Sequence, residues 1–131
     1  MAYIINKTNG QQLITSTLTS AGLLDGTIDT STSITLIGKN HPSYGELQNE
    51  NFIRLLENGS NDTAPLNPLT GELWYDTSSN KLKLWDGTKF KSTGTSTGET
   101  APTGPSVGDV WWDTTNEQLK AYRDPDWQVI G

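Results

Sequence analysis

Two short stretches of the chain have the alternating side-chain pattern of β-strands. Residues 72–76 and 81–85 follow a period of two, in which successive side chains point to opposite faces of a sheet. One alternating set contains Leu73, Tyr75, Leu82 and Leu84. The other set contains Trp74 and Trp85. Both faces of a small sheet would then be apolar, so the second face must pack on another part of the protein or on another chain.

The same pattern occurs a second time, at a constant offset of 37 residues. Residues 63–91 align with residues 100–128 without a gap, and both copies open with Thr-Ala-Pro-x-x-Pro-x-x-Gly. Further identical pairs are Trp74 and Trp111, Asp76 and Asp113, Thr77 and Thr114, Leu82 and Leu119, and Lys83 and Lys120. This match indicates one supersecondary unit that is used twice.

Each copy has the signals of a three-stranded meander, because two turn sequences separate three strand-like runs. The predicted strands are 72–76, 81–85 and 89–92 in the first copy and 109–113, 118–122 and 127–130 in the second. Asp76 and Asp113 suit the start of a turn, since a short carboxylate accepts hydrogen bonds from amides just ahead of it. Asp86-Gly87 predicts a tight second turn, which Asp124-Pro125 replaces in the second copy.

The N-terminal half has weaker signals. Asn9-Gly10 predicts a turn between strands at 3–6 and 11–18, and residues 27–37 are predicted to form a further strand. A helix follows, with Ser43 and Glu46 at capping-box spacing and Gly59 as a natural end. Its apolar positions are Leu47, Phe52, Leu55 and Leu56. We expect Phe52, Leu55 and Leu56 to be the residues through which this helix contacts a sheet.

The predicted fold is therefore mainly β with one short helix. An N-terminal hairpin, a strand and the helix occupy residues 1–62, and the first meander occupies residues 63–92. Residues 93–99, rich in Ser, Thr and Gly, are interpreted as a flexible linker, and residues 100–131 form the second meander.

Composition narrows the classes of function. A formal net charge of -6 disfavours a nucleic-acid backbone as partner, because binding phosphates requires a positive surface. The lysines at 81, 83, 89 and 91 are interpreted as a solvated strand face. There is no cysteine, and no apolar run approaches the roughly 20 residues of a membrane span. Five Trp and four Tyr partly offset a shortage of aliphatic residues, so the fold is expected to depend on neighbouring subunits.

No catalytic constellation is evident in the sequence. His41 is the single histidine, and its place beside Pro42 favours a structural role. Asp76 and Asp113 could in principle act as an acid and a base, but equivalent positions of a repeat more often share a turn role. Gly38-Lys39 lacks the rest of a phosphate-binding loop. We expect a protein that is not an enzyme and has no cofactor and no metal.

Several blocks of the sequence resemble one family of viral proteins. They are LIGKNHPSYGE at 36–46, QNENF at 48–52, LLEN at 55–58, APLNPLTGELWYD at 64–76 and NKLKLWDGT at 80–88. In these blocks the chain is similar to tail-fibre-type structural proteins of tailed phages, especially marine and cyanophage myoviruses. The resemblance implies a virion protein, either tail fibre or baseplate-associated, that is assembled in the bacterial cytoplasm and supports host attachment.

Partners and surface follow from this interpretation. The resemblance implies other virion subunits as partners and a homo-oligomer, with a trimer favoured by analogy to fibres. The predicted assembly or ligand surface comprises Trp74, Trp85, Trp111, Trp112, Tyr122 and Trp127. The alternatives are a head-decoration or neck fibre protein and a carbohydrate-binding adhesin, because flat aromatic rings can also stack on a host surface glycan.

Overall fold

The computed structural model describes residues 2–131 and confirms a mainly β fold with one short helix. The elements are β1 (Ile28–Asp29), β2 (Leu36–Ile37), α1 (Tyr44–Leu56), β3 (Leu73–Asp76), β4 (Lys81–Trp85), β5 (Phe90–Ser92), β6 (Ser96–Gly98), β7 (Val110–Asp113), β8 (Gln118–Arg123) and β9 (Asp126–Val129). They form sheets of two, three and four strands, in the orders β1-β2, β3-β4-β5 and β6-β7-β8-β9. Within residues 2–131, no helix is both long enough and apolar enough to cross a membrane.

The chain divides into two compact units. The first unit ends at Phe90, the first residue of β5, and contains the N-terminal elements, helix α1 and strands β3 and β4. The second unit, Lys91–Gly131, begins within β5 and contains strand β6 and the second meander.

The N-terminal segment is held by a turn and a small apolar cluster. The Asn9-Gly10 turn is present, with the amide of Gly10 donating to the carbonyl of Lys7 at 2.9 Å. The predicted flanking strands are reduced to isolated bridges at Asn6 and Tyr3. The core of this segment consists of Leu13, Leu18 and Leu23, with Ile5 and Leu36 packed against it.

The single strand predicted at 27–37 is wrong, because these residues form the hairpin β1-β2. The buried carboxylate of Asp29 accepts the amide of Ser31 at 3.0 Å and the hydroxyl of Thr17 at 2.6 Å. Such a carboxylate-to-amide bond stabilises a turn at the place where a continuous strand would otherwise run. The amide of Gly38 then closes the hairpin by donating a hydrogen bond to the carbonyl of Thr27. A Cβ at position 38 would lie only 2.6 Å from the same carbonyl oxygen.

Helix α1 begins and ends close to the predicted positions, but its cap differs. Ser43 has a φ of 61° and makes no side-chain cap hydrogen bond, so the predicted capping box does not form. At the other end, Gly59 has a φ of 63° and its amide donates to the carbonyl of Arg54 at 2.8 Å. This backbone conformation suits glycine and ends the helix where the sequence predicted.

The side of α1 that docks is not the predicted one. Asn51 is buried, and its side chain forms two hydrogen bonds with the backbone of Thr35. Its oxygen accepts from the amide of Thr35 at 2.8 Å, and its nitrogen donates to the carbonyl at 2.7 Å. The predicted contact residues, Phe52, Leu55 and Leu56, are 57%, 61% and 78% exposed. We call these three residues the helix stripe; the expectation that they form the packed side of the helix is wrong, because they are mostly exposed.

The six predicted strands of the meanders are confirmed to within about one residue at each end. In the first meander Leu73 pairs with Leu84 and Tyr75 with Leu82. In the second meander Val110 pairs with Ala121 and Trp112 with Leu119. The duplicated register places matching side chains on matching faces of the two sheets.

The interpretation of 93–99 as a flexible linker needs correction, because strand β6 lies within it. Ser96 and Gly98 pair in parallel with Trp111 and Asp113 of β7. In the first unit, Asn61 forms a parallel bridge with Asp76 at the equivalent position. The duplicated unit therefore includes a short parallel partner upstream of the meander.

Candidate functional site in the two repeated units

One tryptophan forms the centre of each repeated unit. Trp74 and Trp111 are each only 6% exposed. The indole N–H of Trp74 donates to the carbonyl of Asn61, and that of Trp111 to the carbonyl of Gly98, both at 3.1 Å. The single N–H donor of each indole is thus hydrogen-bonded to the segment that pairs in parallel with the meander, and this bond holds that segment on the sheet.

A lysine and an aspartate complete each centre. Lys83 bonds the carboxylate of Asp76 at 2.8 Å, and Lys120 bonds that of Asp113 at the same distance. The two ammonium groups also lie 5.1 Å and 5.0 Å from the ring centroids of the buried tryptophans. Each lysine is therefore bound by a carboxylate and by the face of an indole.

Further aromatic rings pack around both centres. Phe90 meets Trp74 and Trp85 edge to face, with ring centroids 5.1 Å and 5.0 Å apart. Trp127 meets Trp111 edge to face at 5.5 Å, and it contacts Tyr122 at 5.3 Å with the two rings tilted at 51°. These contacts form one aromatic layer on the inner face of each sheet.

The electrostatics of the two aspartates match. Hydrogen bonds from Lys83 first and Ser78 next hold the pKa of Asp76 far below its ordinary value of 3.8. Lys120 first and Asn116 next do the same to the pKa of Asp113. Both carboxylates are buried, and burial alone would favour the neutral form. They remain charged because these partners donate hydrogen bonds to the carboxylate oxygens.

These shifts predict that the protein loses stability in acid. A carboxylate with a lowered folded-state pKa stabilises the fold above its unfolded-state pKa, and this contribution is lost as the pH falls through the folded-state pKa. We expect the urea midpoint to decrease as the pH is lowered from about 5 to 3, and to decrease less in Asp113→Asn. Asp126→Asn, which removes an exposed carboxylate from the same sheet, is the control. An Asp113→Asn variant that follows the wild-type pH profile would contradict the assignment.

The predicted surface residues have three different outcomes. The prediction for Trp74 and Trp111 is wrong, because a buried indole whose N–H is already hydrogen-bonded cannot form an assembly or ligand surface. Trp85, Tyr122 and Trp127 are half-buried in the aromatic layers. Trp112 is 38% exposed, and it is the most exposed tryptophan among residues 2–131.

The opposite sides of the two sheets are apolar and partly open to solvent. We call them the outer faces; they consist of Leu73, Tyr75, Leu82 and Leu84 in the first unit and Val110, Trp112, Leu119 and Ala121 in the second. Leu73, Leu84 and Trp112 are exposed. The duplication therefore repeats an uncovered apolar face as well as a covered one.

Sequence reasoning missed the role of the lysines and of a third aspartate. Lys83 was interpreted as part of a solvated strand face, but it binds the buried Asp76. The turn bond of Asp76 and Asp113, from the amide two residues ahead, also occurs at Asp29. The signal was the recurring Asp-Thr followed by Ser or Thr, at 29–31, 76–78 and 113–115.

His41, Asp76 and Asp113, the candidate reactive residues, each contact a structural partner. Within residues 2–131, no group of three or more His, Asp or Glu side chains could hold a metal ion. His41 contacts the carbonyl oxygen of the adjacent Pro42 through Nδ1. Asp76 and Asp113, the candidate acid and base, are each bound to a lysine in a separate unit.

Comparison with known proteins identifies no relative. No protein-family model, no curated protein and no solved structure matches this chain. The function must therefore be inferred from the residues of the chain and their geometry.

Proposed function

We propose that this chain is a non-catalytic structural protein of a tailed-phage virion, a tail-fibre or baseplate-associated subunit that assembles with other virion subunits. The sequence resemblance within 36–58 and 64–88 supports the virion setting. The observation that carries the assembly role is the exposed helix stripe, Phe52, Leu55 and Leu56. Soluble monomers rarely leave a contiguous apolar patch of this kind in water, and such patches mark interaction sites.

The distribution of charge on α1 supports the same proposal. The charged residues of the helix and its C-cap are Glu46, Glu50, Arg54 and Glu57. At 100° per residue these positions cluster on one side, opposite the helix stripe. The stripe thus combines exposure with an absence of charge, which suits burial against a partner.

Each unit also has an apolar outer face of its own. Leu73 and Leu84 in the first sheet, and Trp112 in the second, are exposed. Covering either face by a partner would bury apolar area of that unit. A homo-oligomer, with a trimer favoured by the fibre analogy, satisfies this requirement, and other virion subunits complete it.

Sedimentation velocity on the purified chain, from low to high micromolar concentration, tests the assembly role. We expect the wild type to sediment as an oligomer and a Leu55→Gln/Leu56→Gln variant to shift towards monomer, since it makes the stripe polar without changing a buried side chain. The matched control is Glu50→Gln/Glu57→Gln, which alters the charged side of the same helix. A wild type that stays monomeric throughout, or a stripe variant that assembles like the control, would count against self-assembly through α1.

Carbohydrate binding is the second candidate, and the exposure of Trp112 favours it. An open indole face can stack on a sugar ring, whereas the buried Trp74 and Trp111 cannot. Glycan-array binding that is lost in Trp112→Ala but kept in the helix-stripe variant would support the adhesin role. If the assembled wild type binds no glycan, the adhesin role is excluded and the structural role is the one that remains.

A further inference from the structure

The duplication places a carboxylate at the entrance to each meander. Glu72 precedes β3 and accepts the amide of Leu69 through Oε1 at 3.1 Å. Asp109 precedes β7 and accepts the amide of Ser106 through Oδ2 at 2.9 Å. One oxygen of each carboxylate thus stabilises the same tight turn in both units.

The second oxygen is treated differently in the two units. Oδ1 of Asp109 lies 3.4 Å from the ammonium group of Lys91, which also donates to the hydroxyl of Ser106 at 3.0 Å. Oε2 of Glu72 is buried and has no hydrogen-bond partner. A buried carboxylate oxygen without a donor is destabilising, so the first unit lacks a contact that the second unit makes.

The chain has a cation at the matching position. Arg54 precedes Lys91 by the same 37 residues that separate Glu72 from Asp109. Arg54 and Glu72 line one hollow of about 270 Å³, whose apolar walls include Leu55 and Leu73. The backbone holds both sides of the hollow together, because the amide of Tyr75 donates to the carbonyl of Asn58 just after the helix, at 3.0 Å.

We propose that Arg54 is the cation of Glu72, and that the two form a latch between the last turn of α1 and the entrance to β3. Arg54 is exposed, lines the same hollow as Glu72 and carries five donors on a flexible side chain, so we infer that a side-chain rotation brings its guanidinium to the unpaired oxygen. The closed latch reproduces in the first unit what Lys91 and Asp109 do in the second. It also fixes the end of the helix that carries Leu55 and Leu56, whichever partner covers them.

Two single variants and their combination test the latch in the full chain. Glu72→Gln keeps an acceptor for the Leu69 amide and removes the charge, whereas Arg54→Met removes the cation and keeps an apolar stem. We expect each variant to speed amide hydrogen exchange at 57–59, after the last turn of α1, by about two- to fivefold, as for a partly exposed ion pair. The double variant should exchange no faster than either single variant, because both remove the same contact.

A second readout follows the Arg54 side chain directly. The Nε–H of a paired guanidinium exchanges slowly with water, so its NMR signal should be protected in the wild type and lose protection in Glu72→Gln. The charge-swapped variant, Arg54→Glu with Glu72→Arg, should recover slow amide exchange at 57–59. High salt should reproduce the effect of the single variants on the wild type.

Matched controls separate the latch from other contacts of Arg54. Glu50→Gln removes a carboxylate one helical turn before Arg54 and should leave the Arg54 Nε–H protected. Lys91→Met and Asp109→Asn should show the non-additive behaviour of a formed pair in the second unit. Protection of Arg54 that depends on Glu50 rather than Glu72, or additive effects of Arg54→Met and Glu72→Gln, would overturn the proposal.

Discussion

Replacing Trp111 with alanine is expected to unfold the second repeated unit. The indole is buried, it contacts Trp127 and Lys120, and its N–H holds the carbonyl of Gly98. Deleting a buried tryptophan side chain costs about 3–5 kcal/mol. A domain of this size has a total stability of the same order, at roughly 0.05–0.15 kcal/mol per residue. Trp74→Ala should cost a similar free energy in the first unit, since Trp74 has the equivalent contacts, with Phe90 in place of Trp127.

Urea unfolding, followed by near-ultraviolet circular dichroism, measures this loss. Trp112→Ala is the matched control, because it removes the same side chain from the next position of β7, where the ring is 38% exposed. Trp111→Phe keeps an aromatic ring but removes the hydrogen bond to Gly98, which should cost about 1 kcal/mol. Equal losses in Trp111→Ala and Trp112→Ala would contradict the assignment of Trp111 as the centre of the unit.

The next largest effect is expected from Lys120→Met. The variant leaves Asp113, only 2% exposed, with its carboxylate buried and without its cation. Removing one partner of a buried ion pair is far more destabilising than the pair itself is stabilising, because an uncompensated charge remains. The measurement is the urea midpoint at neutral pH, where the aspartate is charged.

Two further variants isolate the charge of Asp113. Arg123→Met removes an exposed cation from the same strand and should change the midpoint little. Lys120→Met combined with Asp113→Asn should regain part of the loss, because the buried carboxylate is then absent. If the double variant is less stable than Lys120→Met alone, the hydrogen bonds that the Asp113 carboxylate accepts from Thr115 and Asn116 matter more than its stranded charge.

The duplication shows which parts of the unit tolerate change. The indole, the lysine, the aspartate and the hydrogen bond to the parallel partner have the same geometry in both copies. The second turn differs, with Asp86-Gly87 in one copy and a cis peptide at Asp124-Pro125 in the other. The inner face is therefore kept as a set of interlocking contacts, whereas the turn only has to reverse the chain.

Local sequence determined the strands of the meanders, their duplication and the extent of the helix. Alternation between Leu73 and Asp76, turn residues after each strand and Gly59 after the helix act over a few neighbouring positions. Such short-range preferences can be predicted from the chain alone. The mainly β fold with one helix followed from them.

Tertiary structure alone decided which surfaces are covered. The helix docks through Asn51, whose side chain forms two hydrogen bonds with the backbone of Thr35. The apolar stripe, which the sequence pattern predicted to face inward, stays exposed. Strand β6 has no apolar pattern of its own and pairs only because β7 and the indole of Trp111 offer it backbone and side-chain partners. Lys83 and Lys120 look like solvated residues until the fold brings a carboxylate and an indole to them. Contacts between residues distant in sequence depend on the assembled geometry, which periodicity and composition do not contain.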